Sequence, residues 1–458
     1  MRRTARYADE GAGRGPRRYL FRHPSQVVVA AFATAILIGT LLLLLPWARS
    51  GGGSAPVVDA LFTATSAVCV TGLVTVDTPT YWTPFGQGVI LLLIQVGGFG
   101  IMTMASLLGL VVARRMGLRT RLTAAAETKS LGIGDVRSVL VGVAKVSILF
   151  EVITAVLLAG RFWVAYDESP GRAAYLGVFH AVSAFNNAGF ALYSDSLMGF
   201  VTDPWICVPI AVAVIFGGLG FPVVLELRRQ LAPRAWSLHT KMTVTMTGVL
   251  LVLGTLFTTA SEWSNPATLG SLDAPGRVLA GFFHAVMTRT AGFNSVDVGS
   301  MNEGTWLGSI VLMFIGGGSA GTAGGIKVTT FVVLFFVIYA EVRGEKVVNA
   351  FDRQIDARVQ RQALTVALLA VGAVVSATLV IMEMTDFVLG EVLFEVTSAF
   401  GTVGLSTGIT ADLPAAGQLL LAGLMFLGRL GPITLVSALA LRERQALHRL
   451  PEGRPIIG

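Results

Sequence analysis

The chain has 458 residues, a net charge of +7, 53% apolar residues and 13% charged ones, and its mean hydropathy is +0.72. Soluble globular domains carry about a quarter charged residues, so a soluble enzyme is excluded and a polytopic membrane protein is indicated. Cys69 and Cys207 lie in different apolar stretches, which offers neither a disulfide framework nor a thiolate metal site.

In chain order, residues 1–25 form a basic tail with Arg2, Arg3, Arg6, Arg14, Arg17, Arg18 and Arg22. No small-residue cleavage site follows a short apolar core, so a retained tail is expected and not a cleaved signal. Apolar segments follow at 26–46, 85–113, 138–160, 205–227, 242–260, 306–340, 362–382 and 416–441. Each is long enough to cross a bilayer as a helix of about 20 residues. Between the two spans of each pair lies a shorter apolar stretch that runs into a glycine, which reads as a re-entrant half-helix with a loop. The division is therefore repeat 1 over 26–113, linker and repeat 2 over 114–227, linker and repeat 3 over 228–340, linker and repeat 4 over 341–441, and a tail over 442–458. The fold class expected is an all-α integral membrane protein, four pseudo-symmetric repeats around one central pore.

Most of the 34 Lys and Arg residues fall in the two tails and in 114–137, 228–241 and 343–361, whereas the opposite loops hold only Arg49, Arg161, Arg172 and Arg277. Lys and Arg mark cytoplasmic segments. Both termini are thus expected in the cytoplasm of a cell-membrane protein, with the four half-helices entering from outside. Acidic residues such as Asp77, Asp195 and Asp297 dominate the outer loops and would attract cations. The basic charge is accounted for by topology and by anionic lipid, so no nucleic-acid partner is expected.

The glycines are repeated in register. A Phe precedes each by ten residues: Phe62 and Gly72, Phe179 and Gly189, Phe282 and Gly292, Phe394 and Gly404. At their cores stand Val70-Thr71-Gly72, Asn187-Ala188-Gly189, Thr290-Ala291-Gly292 and Thr402-Val403-Gly404. A desolvated cation needs a ring of oxygen ligands, and backbone carbonyls supply them only where the chain adopts dihedrals that glycine reaches cheaply. One small-residue turn in a membrane protein only lets helices approach closely; four copies in register point to a selectivity filter. In the third copy Phe283-His284-Ala285-Val286 matches Phe179-His180-Ala181-Val182, yet Gly292 comes one residue sooner, so a shorter half-helix is expected there.

With these four loops, Thr288-Arg289-Thr290-Ala291-Gly292-Phe293-Asn294 and Gly321-Thr322-Ala323-Gly324-Gly325-Ile326-Lys327, the sequence from about residue 26 onward resembles the Trk/Ktr/HKT superfamily of potassium transporters, most closely its Ktr-type membrane subunit. The resemblance implies a potassium-selective pore in one chain, a homodimer, and a cytoplasmic ring of nucleotide-binding regulatory subunits. Potassium would be the transported ion, with or without a requirement for sodium. In sodium-preferring plant relatives the first of the four glycines is replaced by Ser, and here it is Gly72. The ending Pro455-Ile456-Ile457-Gly458 resembles Ktr-type endings that help assemble the dimer. Alternatives are a sodium or less selective monovalent-cation transporter and an ion-coupled small-solute carrier. A carrier would normally show inverted repeats, whereas these copies share one orientation.

The gate is expected in Gly316-Gly317-Gly318-Ser319-Ala320-Gly321-Thr322-Ala323-Gly324-Gly325. Six glycines among ten residues disfavour a helix by about 5 kcal/mol relative to Ala, which makes an unwound loop competitive in mid-span. Arg429 in a neighbouring span would cost about 2.5–3.5 kcal/mol at mid-bilayer unless it finds carbonyls or water. An unwound loop would offer those carbonyls, and Lys327 at its end would add a second barrier; the family resemblance also points to an intramembrane gating loop. The alternative is a packing face through Gly317, Gly321 and Gly325.

Gly316-x-Gly318-x-x-Gly321 formally matches a dinucleotide fingerprint but has no strand before it. His180 and His284 occupy equivalent places, which a shared fold explains better than a metal site, and no convergent catalytic set is present, so the protein is not expected to be an enzyme. Lys145 and Glu151 are too far apart for an i, i+4 pair. Glu151 reads as serving ion passage or dimer contact, or as a structural partner in the bundle. Arg289 needs a partner, and Glu395 is the expected one.

Overall fold

The computed structural model describes residues 24–115, 136–230 and 232–431. The basic N-terminal tail, most of linker 114–137, the end of the last apolar segment and the C-terminal tail with Pro455–Gly458 lie outside the described residues. Helices α1 (Pro24–Leu43), α2 (Val57–Val68), the turn-length α3 (Thr78–Tyr81) and α4 (Pro84–Arg115) come first. Next are α5 (Val136–Ala165), α6 (Pro170–Phe185), α7 (Pro204–Leu219) and α8 (Phe221–Arg229). The third group is α9 (Leu238–Glu262), α10 (Ala274–Met287), α11 (Glu303–Phe314) and α12 (Val328–Val342). The last is α13 (Ala357–Met382), α14 (Leu389–Gly401) and α15 (Ala415–Leu430). Among the described residues the one strand pair is a hairpin, Asn349–Ala350 antiparallel to Arg353–Gln354, between α12 and α13.

The short helices α2, α6, α10 and α14 are the half-helices. Local chemistry starts two of them: Ser169 Oγ accepts from Arg172 N at 3.4 Å ahead of Pro170, and Asp273 Oδ1 accepts from Gly276 N at 3.0 Å ahead of Pro275. A capping oxygen with proline in the first turn satisfies donors that no helical carbonyl can reach. Each half-helix packs on the first span of its own group.

Helices α1, α4, α5, α9 and α13 are long and apolar enough to cross a membrane. Leu41, Val156, Leu256 and Leu368 project outward from them, more than half exposed, as lipid-facing side chains do. Two second spans are broken, the one over 205–227 against an expected uninterrupted helix and the one over 306–340 at the unwound loop expected at 316–325. The first is bent by 101° between α7 and α8, where Gly220 takes φ 92° and Pro222 follows. The second is interrupted between α11 and α12, where residues 315–327 leave the helix.

Glycines in these second spans allow the half-helix ends to be approached. A Cβ on Gly97, Gly217 or Gly428 would collide with the carbonyl oxygen of Val68, Phe185 or Phe400 respectively. Each of those carbonyls ends a half-helix or lies in its last turn. Gly428→Ala should therefore destabilise by about 1–3 kcal/mol, the usual range for overpacking. Gly423→Ala, whose added carbon meets nothing within 4 Å, should be neutral or stabilising. Thermal unfolding in detergent compares them, and equal midpoints would contradict this account.

Candidate functional site

The twelve residues of the four glycine loops come together in a ring. A Cβ on Gly189 would lie 2.7 Å from the Ala291 carbonyl oxygen, and one on Gly292 would lie 2.5 Å from that of Val403. Gly404 meets Thr71 O in the same way, and Gly72 meets Ala188 O. The order 72, 189, 292, 404 thus closes on itself. Glycine is required at all four corners, both by φ values of 94°, 72°, 69° and 92° and by the backbone of the next loop.

Two residues before each glycine the backbone is again left-handed, at Val70 (φ 55°), Asn187 (59°), Thr290 (68°) and Thr402 (49°). Three of these are β-branched, for which the region is a true outlier. Such strain persists only where the surroundings hold it. Here the N–H groups are turned back onto the half-helix: Thr71 N donates to Ser66 O at 2.8 Å, Ala188 N to Ser183 O at 2.7 Å and Val403 N to Ser398 O at 2.8 Å. In the third loop the donor is Ala291 and the acceptor Met287 O, at 3.1 Å, so the residue missing from this copy is taken out of the turn after α10. Gly72 N and Gly404 N donate to Ser66 Oγ and Ser398 Oγ at 3.0 and 3.1 Å. With the donors turned outward, the carbonyls face the ring. Of the twelve, only Ala291 O accepts a hydrogen bond, from Phe293 N at 3.0 Å, among the described residues. Buried carbonyls left unpaired in such number call for another partner.

On one side of the ring is a cavity of about 610 Å³, lined by the four glycines together with Asp77, Tyr193 and Asp195. On the other side lies the 315–327 segment. Its backbone is paired: Gly316 N donates to Ile326 O at 2.8 Å and Val328 N to Gly317 O at 2.9 Å. Gly318 N and Thr322 N donate to Gly218 O and Gly217 O at 2.8 and 3.1 Å. Those acceptors are the last-turn carbonyls of α7, left without helical donors by the bend at Gly220. The broken spans therefore satisfy one another.

Arg429, 2% exposed, donates to Thr322 O and, at 3.1 Å, to Gly97 O. It ties the segment to α4. Lys327 Nζ donates to Ala323 O at 2.5 Å, closing the end of the segment on itself. Asn187 joins ring to segment: with its amide oriented to suit its neighbours, the nitrogen donates to Thr322 Oγ1 at 2.7 Å and to Phe185 O at 3.3 Å. Gly324 packs directly beneath Thr402.

The chain carries the signature of the TrkH cation transport proteins over residues 14–448. The chain belongs to this family. It is 42% identical to Ktr system potassium uptake protein B of Bacillus subtilis over 441 residues, covering 95% of this chain and 97% of that protein. It is 34% identical to the potassium/sodium uptake protein NtpJ of Enterococcus hirae, covering 95% and 97%. The crystal structure of the potassium transporter TrkH from Vibrio parahaemolyticus shares the fold, with a TM-score of 0.71 at 18% identity, over 94% of this chain and 87% of that one. Members of this family are transporters, so the protein is a multi-pass membrane transporter and not an enzyme.

The expected Arg289–Glu395 pair is absent. Arg289 lies beyond the C-terminal end of α10, on the side of the interrupted span, and donates to Gly316 O at 3.0 Å. Glu395 points toward the other face of the ring, where Thr407 N and Thr410 Oγ1 each donate to it at 3.0 Å. Glu151 is buried in the bundle, where it accepts from Gln95 Nε2 at 3.0 Å and Asn186 Nδ2 at 3.2 Å. Lys145 is exposed on another face. Both cysteines are buried and free. His284 reaches Ser309 Oγ at 2.9 Å, and no metal-binding cluster is present among the described residues. Ser66, Ser183 and Ser398 were not singled out from sequence; a serine six residues before three of the four glycines is the signal that marks them.

Removing Arg429 leaves the buried Thr322 carbonyl without a donor, at about 1–3 kcal/mol for an unsatisfied group, and unties the segment from Gly97 of α4. In Arg429→Ala, amides of 316–325 should exchange with deuterium at least tenfold faster, while those of α9 keep their rate. Unchanged exchange in that segment would show that the guanidinium does not hold it.

Proposed function

We propose that this transporter carries potassium ions across the cell membrane through the ring, with Val70–Gly72, Asn187–Gly189, Thr290–Gly292 and Thr402–Gly404 as its selectivity filter. The observation that carries this reading is the closed ring whose carbonyls, Ala291 O excepted, accept no hydrogen bond from protein among the described residues. A desolvated monovalent cation is the partner such oxygens suit. Four half-helices end at the ring, and the partly negative C-terminal ends of their dipoles favour a cation there. The uptake functions named for the Bacillus and Enterococcus relatives agree with it. The name of the latter also favours sodium as a second ion, transported or required.

The 315–327 segment is the gate in this reading. It lies across the path beneath the ring, and Arg429 and Lys327 put positive charge where a cation would pass. The 610 Å³ cavity is the outer vestibule, with Asp77 and Asp195 drawing cations in. Both termini then lie in the cytoplasm. A homodimer, and a cytoplasmic ring of nucleotide-binding subunits docking on the basic segments, follow from the Ktr-type resemblance. In keeping with this, Lys241 of one basic segment pairs with Asp352 of another at 2.6 Å, which brings 228–241 and 343–361 side by side.

Expression in a bacterium lacking potassium uptake, with rubidium influx measured with and without sodium, tests the transport reading; failure to restore uptake would count against it. Substituting Ser at Gly72, Gly189, Gly292 or Gly404 should reduce potassium-over-sodium discrimination by about tenfold or more, which corresponds to about 1.4 kcal/mol. Intact discrimination in all four variants would remove the filter assignment. Deleting three residues within 317–324, or changing Arg429 to Ala, should raise flux and blunt regulation. Wild-type flux in both folded variants would place the gate elsewhere.

A further inference from the structure

The residue following the aligned phenylalanine stands at one register in all four half-helices, and it is Thr63, His180, His284 and Glu395. All four are buried. Two of them accept a hydrogen bond from the same place in their own loop, the backbone N–H three residues past the corner glycine. Leu192 N donates to His180 Nε2 at 3.3 Å, and Thr407 N donates to Glu395 Oε1 at 3.0 Å. For His180 the tautomer follows from its other contact. Nδ1 lies 2.8 Å from Leu176 O, which can only accept, so Nδ1 carries the proton and Nε2 is free to accept. Glu395 is tied further to the loop by Ser406 Oγ and, at 3.0 Å, by Thr410 Oγ1. It forms no ion pair among the described residues.

The other two positions do not brace their loops. Thr63 Oγ1 has no hydrogen-bond partner, and the residue three past Gly72, Thr75, bonds instead to Asp59 Oδ1 at 2.9 Å. His284 turns to Ser309 of α11, and Ser295, three past Gly292, keeps a buried hydroxyl without a partner. Since the ring runs 72, 189, 292, 404, the braced loops are diagonal to each other. We propose that His180 and Glu395 are positioning residues for ion selectivity. Each holds the outer flank of one of two opposite filter loops, fixing where the carbonyls at Ala188–Gly189 and Val403–Gly404 stand. A half-helix anchor at this point resists the widening or narrowing that would let the ring adapt to a different cation.

This inference rests on the filter reading, and the test separates the two. Competition between rubidium and sodium is measured in purified, liposome-reconstituted protein for Glu395→Leu, His180→Leu, His284→Leu and, as a check on the filter itself, Gly404→Ser. The leucines remove the acceptor at similar size. Selectivity should fall about tenfold in Glu395→Leu and His180→Leu, stay within twofold of wild type in His284→Leu, and return to within twofold in Glu395→Gln, whose amide oxygen still accepts from Thr407. A purely structural role would lower the unfolding midpoint of all three leucine variants without separating them in selectivity. If Glu395→Leu does not fold, Thr410→Val, which removes one donor to the carboxylate and leaves it in place, should lower selectivity about threefold. Loss in Gly404→Ser with none in the Glu395, His180 and Thr410 variants would overturn the bracing role alone. Retention in Gly404→Ser and in the Ser variants of the other three corner glycines as well would overturn the filter reading.

Discussion

Inside a membrane a backbone carbonyl without a donor is expensive, and most of this architecture can be read as the management of carbonyls that helices cannot serve. Two sets of them exist. One, in the four glycine loops, is left without a protein donor except at Ala291 O, on a backbone that is left-handed at the corner glycine and again two residues before it. The other, in the interrupted second spans, finds donors at many points: Gly217 O and Gly218 O accept from Thr322 N and Gly318 N, and Gly316 O, Thr322 O and Ala323 O accept from Arg289, Arg429 and Lys327.

The two sets are in contact. Thr322 accepts from Asn187 through its hydroxyl and from Arg429 through its carbonyl, so one residue joins ring, interrupted span and a distant helix. A chain with four similar but unequal repeats can place such a link once. Four identical subunits would have to repeat it at every corner. The inequality is visible throughout: the chain bends between α7 and α8, α11 stops at Phe314, α4 runs unbroken from Pro84 to Arg115, and α15 carries Arg429. Each difference answers another, since the bend at Gly220 exposes the carbonyls that the 315–327 segment occupies.

Charge is arranged with the same economy. Arg429 and Arg289 are buried but donate to carbonyls, which spares them from carrying a wholly unsatisfied guanidinium through the hydrocarbon region. Glu151, Glu262 and Glu395 each collect donors from Gln, Asn, Thr or Ser side chains or from backbone N–H groups, without a cation nearby. Buried carboxylates in this protein are hydrogen-bond acceptors that hold loops and helices in register.

The membrane class, the four repeats, the glycine corners and the unwinding near Gly316–Gly325 were all legible in the sequence, because hydropathy, repetition and glycine content are local properties. Arg429 could be flagged on the same ground, as a charge too costly to leave unpartnered. The carbonyls of the unwound loop could be named as its partner, and Thr322 O is one; Gly97 could not, being remote in the chain and meeting Arg429 only when the spans pack. The same limit explains the Arg289–Glu395 expectation, since sequence put both near the ring but could not say that they lie on opposite faces of it. The left-handed backbone at Val70, Thr290 and Thr402 was equally hidden. β-branched residues do not choose that region by themselves, and only the half-helix carbonyls of Ser66, Met287 and Ser398 and the neighbouring loops around the ring hold them there.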